Sequence, residues 1–240
     1  TALFRIGSDS IFFIQPITAV ANSLGFAFAA MLLAVMLGLL ASIFLTGSSI
    51  KKRSNKKGSA KSFWDAVMML PLATSAVTLG FGYIIALNKP PLNLRDSMFL
   101  VIIAHSLVAF PFVVRCILPS LRQIPGNLRQ AAAMLGASPF KIWRYIELPL
   151  INRALLTGAI FAFLISMGEF GASAFIVRPH TPTMPVAIFR FLGQPGEMNY
   201  GQAMAMSSLL MLVSCCSFWV LSKFGRSESP SALAGSKGNL

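Results

Sequence analysis

Glu169 lies in a run from Ala154 to Val177 that carries no other charge. A charged residue such as Asp at the centre of a membrane span costs ~2.5–3.5 kcal/mol. This carboxyl therefore needs a partner, a water-filled path or a proton. A carboxylate on a path suits a cationic solute, whereas a structural role would be a hydrogen bond to Ser, Thr or Asn on a neighbouring helix. His105, in another apolar run, reads as a packed or hydrogen-bonded histidine. Cys116, Cys215 and Cys216 form neither a disulfide framework nor metal-ligand spacing, and no metal site is expected. Gly58-Ser59-Ala60-Lys61-Ser62 echoes a phosphate loop but lacks the earlier glycine and the one directly before the lysine. No cofactor is expected here, and any ATP must be bound by another chain. Without a Ser/His/Asp set, paired aspartates or H-E-x-x-H, no catalytic residues are assigned.

The elements that position these residues follow from composition. Of 240 residues 55% are hydrophobic and 11% charged, with a mean hydropathy of +0.72. Soluble domains carry roughly 25% charged residues, and disorder requires low hydrophobicity. The chain reads as an all-α integral membrane protein. Crossing the bilayer takes ~20 apolar residues in a helix, and the period-2 alternation of a membrane barrel is missing. Five spans are expected, at about 19–45, 66–87, 97–114, 154–177 and 200–222.

Fifteen Lys and Arg fall in 47–62, 115–153 and the tail 223–240, against five on the opposite side. The positive-inside rule then places those three segments in the cytoplasm, and the N-terminus and the loop 178–199 outside. The run KKRSNKKGSAK at 51–61 could be a nucleic-acid patch. It reads instead as a topology anchor on anionic lipid, so membrane lipid is an expected partner and nucleic acid is not. The loop 178–199 carries four prolines and reads as ordered, apolar and not a span.

The segment 115–153 is too long for an idle connection. Asn127 can cap a helix from Leu128 through the alanine triplet, and Gly136 can end it in a left-handed conformation. Ser138-Pro139 restarts a helix, and Leu148-Pro149 is expected to stop it. The result is a helix-turn-helix at the membrane surface with a patch of small residues, Ala131, Ala132, Ala133, Gly136 and Ala137.

Gln130-Ala131-Ala132-Ala133-Met134-Leu135-Gly136, followed by Ile146-Glu147-Leu148-Pro149, resembles the E-A-A-x-x-x-G … x-L-P loop of permease subunits of bacterial ATP-binding-cassette importers. Asn22-Ser23-Leu24, Leu70-Pro71-Leu72 and Ser166-Met167-Gly168-Glu169-Phe170-Gly171 resemble the same family. One departure is Gln130, which stands where that loop usually has Glu and so loses the charge.

The resemblance implies a type I permease bundle in the bacterial inner membrane. Its loop would dock an ATP-binding subunit through Gln130, Ala131, Ala132, Gly136, Ala137, Leu148 and Pro149. A periplasmic solute-binding protein would face the loop 178–199, and a second permease half would complete the transporter. The chain is most similar to the C-terminal half of fused thiamine and ferric-iron permeases, which implies thiamine as solute, ferric iron or another small solute as the alternative, and one further span before Thr1. A secondary transporter or channel would need more intramembrane polar groups than one Glu and one His.

Overall fold

The computed structural model describes residues 16–50, 59–87, 97–178 and 181–225, and among them every regular element is helical. The helices are α1 (Pro16–Ile50), α2 (Ser59–Ala73), α3 (Ala76–Leu87), α4 (Met98–Gln123), α5 (Gly126–Met134), α6 (Pro139–Ile142), α7 (Leu148–Gly168), α8 (Ser173–Ile176), α9 (Met184–Leu192) and α10 (Glu197–Gly225). A π turn, Trp143–Glu147, joins α6 to α7. Four stretches are long and apolar enough to cross a membrane: Pro16–Thr46, Met98–Gln123, Pro139–Gly168 and Glu197–Lys223. The pair Ala66–Ala73 and Ala76–Ala86 is apolar enough only when taken together and is bent by 100°, the geometry of a broken span or a re-entrant loop, giving four to five spans among the described residues. Most of the basic run 51–61, the start of the chain and most of the tail lie outside the described residues.

The core is the three-helix contact of α1, α4 and α7. Ala34, Ala109 and Ala162 are fully buried in it, together with Val113, Ile117 and Ile151. Small residues let membrane helices approach closely where lipid gives no hydrophobic drive. A Cβ on Gly38 would stand 2.6 Å from Val113 Cγ1, and one on Gly158 would stand 3.4 Å from the same atom. Val113 of α4 is thus clasped between glycines of α1 and α7. Two hydroxyls inside α1 are satisfied within the helix, as Ser42 Oγ donates to Gly38 O at 2.7 Å and Thr46 Oγ1 to Ser42 O at 2.8 Å.

Several boundaries differ from the sequence expectation. The third span continues past residue 114 to Gln123, through Arg115 and Pro119. Arginines near a helix end keep their heads in water while their stems stay apolar, and prolines are tolerated where neighbouring helices and side chains satisfy the freed backbone groups. The second span breaks at Thr74-Ser75. Pro71 withholds one ladder donor, and Thr74 Oγ1 donates to Leu70 O at 3.1 Å. The fourth span ends at Gly168 rather than 177, with α8 as a short continuation. The loop 178–199 contains α9, packed on α10.

Leu148-Pro149 does not stop a helix: the helical path from Pro139 to Gly168 is continuous. Leu148 N–H donates to Trp143 O, five residues back, so the turn before Pro149 is widened. That relieves the clash between a proline ring and the carbonyl of the preceding turn. Nor does Asn127 cap α5. The helix starts at Gly126, with Pro125 O accepting from Leu128 N at 3.2 Å, and Asn127 is exposed in its first turn.

Candidate functional site

Two regions at opposite ends of α7 hold the residues singled out by their chemistry. The first is the tip formed by α5 and α6. Gly136 has φ +79, a left-handed conformation that disfavours a Cβ. Gly136 N–H donates to Ala133 O and Ala137 N–H to Ala132 O, both at 3.0 Å. This pair of bonds is the Schellman closure of a helix. Ser138 caps α6, its Oγ accepting from Lys141 N at 3.4 Å, with Pro139 in the first turn.

No residue of α5 is buried. Met134 and Leu135, just before the left-handed glycine, are each 89% exposed, and Phe140 and Tyr145 also project outward. Gln130 and Ala131 are exposed beside them, while Ala132 and Ala137 are half-buried. Leu148 and Pro149 belong to the first turn of α7 rather than to the tip. The alanine and glycine spacing identified the tip, but the small-residue reading passed over the two large apolar side chains at its apex. Their position next to Gly136, in a segment without buried residues, was the available signal.

The second region is the break after α7. Glu169 is the C-cap of α7 with an extended backbone (ψ 111) and is 9% exposed. Its Oε1 accepts from Ala172 N–H at 2.9 Å, so the side chain closes a local turn at the break, just before α8. The hydrogen bonds between helices at this level are made instead by His105, from α4. Its Nδ1 lies 2.8 Å from Ser166 Oγ and its Nε2 2.7 Å from Ser173 Oγ. A neutral imidazole donates through one nitrogen and accepts through the other. One buried ring therefore holds both sides of the break. The apolar surroundings of His105 signalled a hydrogen-bonded histidine, but its two partners are remote in sequence.

The bent pair α2–α3 packs on this break. A Cβ on Gly80 would stand 2.8 Å from Ala172 Cα, and one on Gly171 would stand 3.1 Å from Ala76 Cβ and from Val77 N. Ring contacts extend the cluster, Phe81 edge-on to Phe175 at 5.8 Å and Phe170 tilted against Phe189 of α9 at 5.2 Å. At the start of α9, Met184 N–H donates to Ser23 Oγ of α1 at 2.6 Å.

The chain as a whole is similar to known proteins. Residues 10–227 match the family described as binding-protein-dependent transport system inner membrane component. PhnV of Salmonella typhimurium, a permease protein named for 2-aminoethylphosphonate transport, is 30% identical over 199 residues, covering 81% of this chain and 72% of that protein. The molybdenum transport system permease protein ModB of Haemophilus influenzae is 32% identical over 176 residues, covering 67% of this chain and 77% of ModB. A solved structure of the MetNI methionine ABC transporter, inward-facing, is similar in fold. Its TM-score is 0.63 at 17% identity, covering 87% of this chain and 95% of that one.

Proposed function

The chain belongs to the family of binding-protein-dependent transport system inner membrane components and is a multi-pass permease of an ABC importer, and on that premise we propose how it works. It is the membrane half of an importer for a small solute, without an ATP site of its own. A separate ATPase subunit docks on the α5–α6 tip, a second permease half completes the path, and a solute-binding protein delivers cargo from the other side. The tip is then cytoplasmic and the α9 side periplasmic, in keeping with the fifteen-to-five basic asymmetry.

The observation that carries this reading is the apolar apex, Met134 and Leu135, held out by a left-handed glycine on a helix that buries nothing of its own. Such a helix suits insertion into a partner's groove. Co-purification of the full chain, with mass spectrometry of bound subunits, tests it. An ATPase subunit lost on Met134→Asp supports the docking, and retention by that variant at parental level overturns it.

For the solute we favour a small phosphonate or oxyanion, because the relatives are named for 2-aminoethylphosphonate and molybdenum transport. Thiamine, implied by the resemblance to fused permeases, is the second reading. It rests on Glu169, a carboxylate at the break that could attract a cation. Uptake into proteoliposomes, with thiamine, ferric iron, 2-aminoethylphosphonate and molybdate in competition, separates the two. Inhibition by thiamine alone rejects the oxyanion reading.

A further inference from the structure

Arg129 and Glu147 join two elements that no other described side-chain hydrogen bond or ion pair connects. Arg129 Nε lies 2.6 Å from Glu147 Oε1, and the side chains are 20% and 14% exposed. The nitrogen makes no aligned hydrogen bond, so the contact is a close charge pair. Arg129 belongs to α5. Glu147 is the last residue of the π turn, directly before α7.

The placement of the pair gives it a mechanical meaning. Within α5 only Arg129 and Ala132 are half-buried, three residues apart and so on one face, with every other position exposed. The pair is therefore on the inner face of α5, away from the apex at Met134 and Leu135. With no fully buried side chain, α5 is otherwise held by its packing on the short α6 and by its covalent links, Ile124-Pro125 at one end and the Gly136 turn at the other. On the far side of the pair, α7 is clamped to α4 by the Gly158–Val113 contact. A π turn inside a helix is frequently found at a functional site, and here the charge pair sits at its end.

We propose that Arg129 and Glu147 are a positioning pair that braces the docking helix against the π turn, so that movement of a bound ATPase subunit is delivered to α7. The proposal rests on the docking reading above. Lacking burial, an unbraced α5 would swing on its two turns, and ATP hydrolysis would continue with little solute moved. Half-burial makes the pair less screened than an exposed one, and reversal of one charge would place two like charges in contact.

The experiment uses the assembled transporter in proteoliposomes and reads solute moved per ATP hydrolysed. Arg129→Glu and Glu147→Arg should each lower that ratio by about tenfold, within the range of coupling changes from residues that touch neither ligand. The double reversal should return it to within about threefold of the parent, the signature of a pairwise interaction. Should a reversal fail to insert, Glu147→Gln and Arg129→Gln give the same ratio with a smaller perturbation. An unchanged ratio in the single variants, or a double reversal no better than either single, overturns the pair. If Met134→Asp releases the ATPase while the pair variants couple normally, only the pair is wrong. If Met134→Asp leaves the ATPase bound, the docking reading falls and the pair with it.

Discussion

Gly80 of α3 lies so close to Ala172, in the break after α7, that a Cβ at 80 would stand 2.8 Å from the Ala172 Cα. Gly171 returns the relationship, facing Ala76 and Val77 at the start of α3. Two interrupted helices thus meet backbone to backbone, each using its own glycine to admit the other. Contacts this close exploit the dispersion and packing that hold helices together in lipid.

Gly80→Ala should destabilise the fold by about 1–3 kcal/mol, the usual cost of overpacking, because the obstructing atoms are backbone and cannot rotate away. Gly82, two residues on, has open space around its Cβ position. Gly82→Ala is the control and should match the parent in detergent melting temperature and uptake. Equal melting temperatures for the two variants would reject the interlock.

His105→Ala strands two hydroxyls, on Ser166 and Ser173, and unties the halves of the break. A loss of about 1–2 kcal/mol is expected, the scale of side-chain hydrogen bonds between membrane helices. His105→Gln, which can both donate and accept, should recover part of it. Thermal unfolding in detergent gives the comparison, and a Gln variant as unstable as Ala would argue for ring packing instead.

Gly136→Val tests the left-handed turn alone, since nothing lies within 4 Å of where its Cβ would go. Any effect on the stability of this chain comes from the backbone, where a positive φ costs about 1–2 kcal/mol for a side-chain-bearing residue. Membrane insertion should be normal while ATPase retention on purification and uptake both fall. Parental uptake with unchanged retention would show that the turn is not needed for docking.

Glu169→Gln keeps an oxygen for Ala172 N–H, while Glu169→Ala removes it. If the carboxylate only closes the turn at the break, Gln should retain uptake and Ala should lose stability by about 1 kcal/mol. Were it also a path group for a cation, Gln would fold normally and transport poorly. Uptake and melting temperature on the pair of variants distinguish the roles.

Orientation can be checked with single cysteines at Leu135, on the exposed tip, and at Gly193, the C-cap of α9 with φ −76, in a background without native cysteines. A membrane-impermeant thiol reagent on intact cells should label the Gly193 site and spare the Leu135 site. The reverse pattern inverts the proposed topology.

What the sequence determined was whatever depends on composition and on neighbours within a few residues. The 55% hydrophobic content and the charge-free runs require membrane helices, since backbone groups in lipid must be satisfied within the segment. Gly136 and Ser138-Pro139 set the turn between α5 and α6 by local backbone chemistry alone. Tertiary structure decided the rest. Pro149 reads locally as a stop, but a widened turn carries the helix through it. Glu169 reads as a group seeking a partner on another helix, yet its oxygen is taken by a backbone N–H three residues ahead. His105 meets Ser166 and Ser173 across 61 and 68 residues of chain, and Gly80 meets Ala172 across a longer gap still. Nothing in local spacing encodes such pairs, because they exist only once packing of α1, α4 and α7 has fixed which faces of the broken spans turn toward one another.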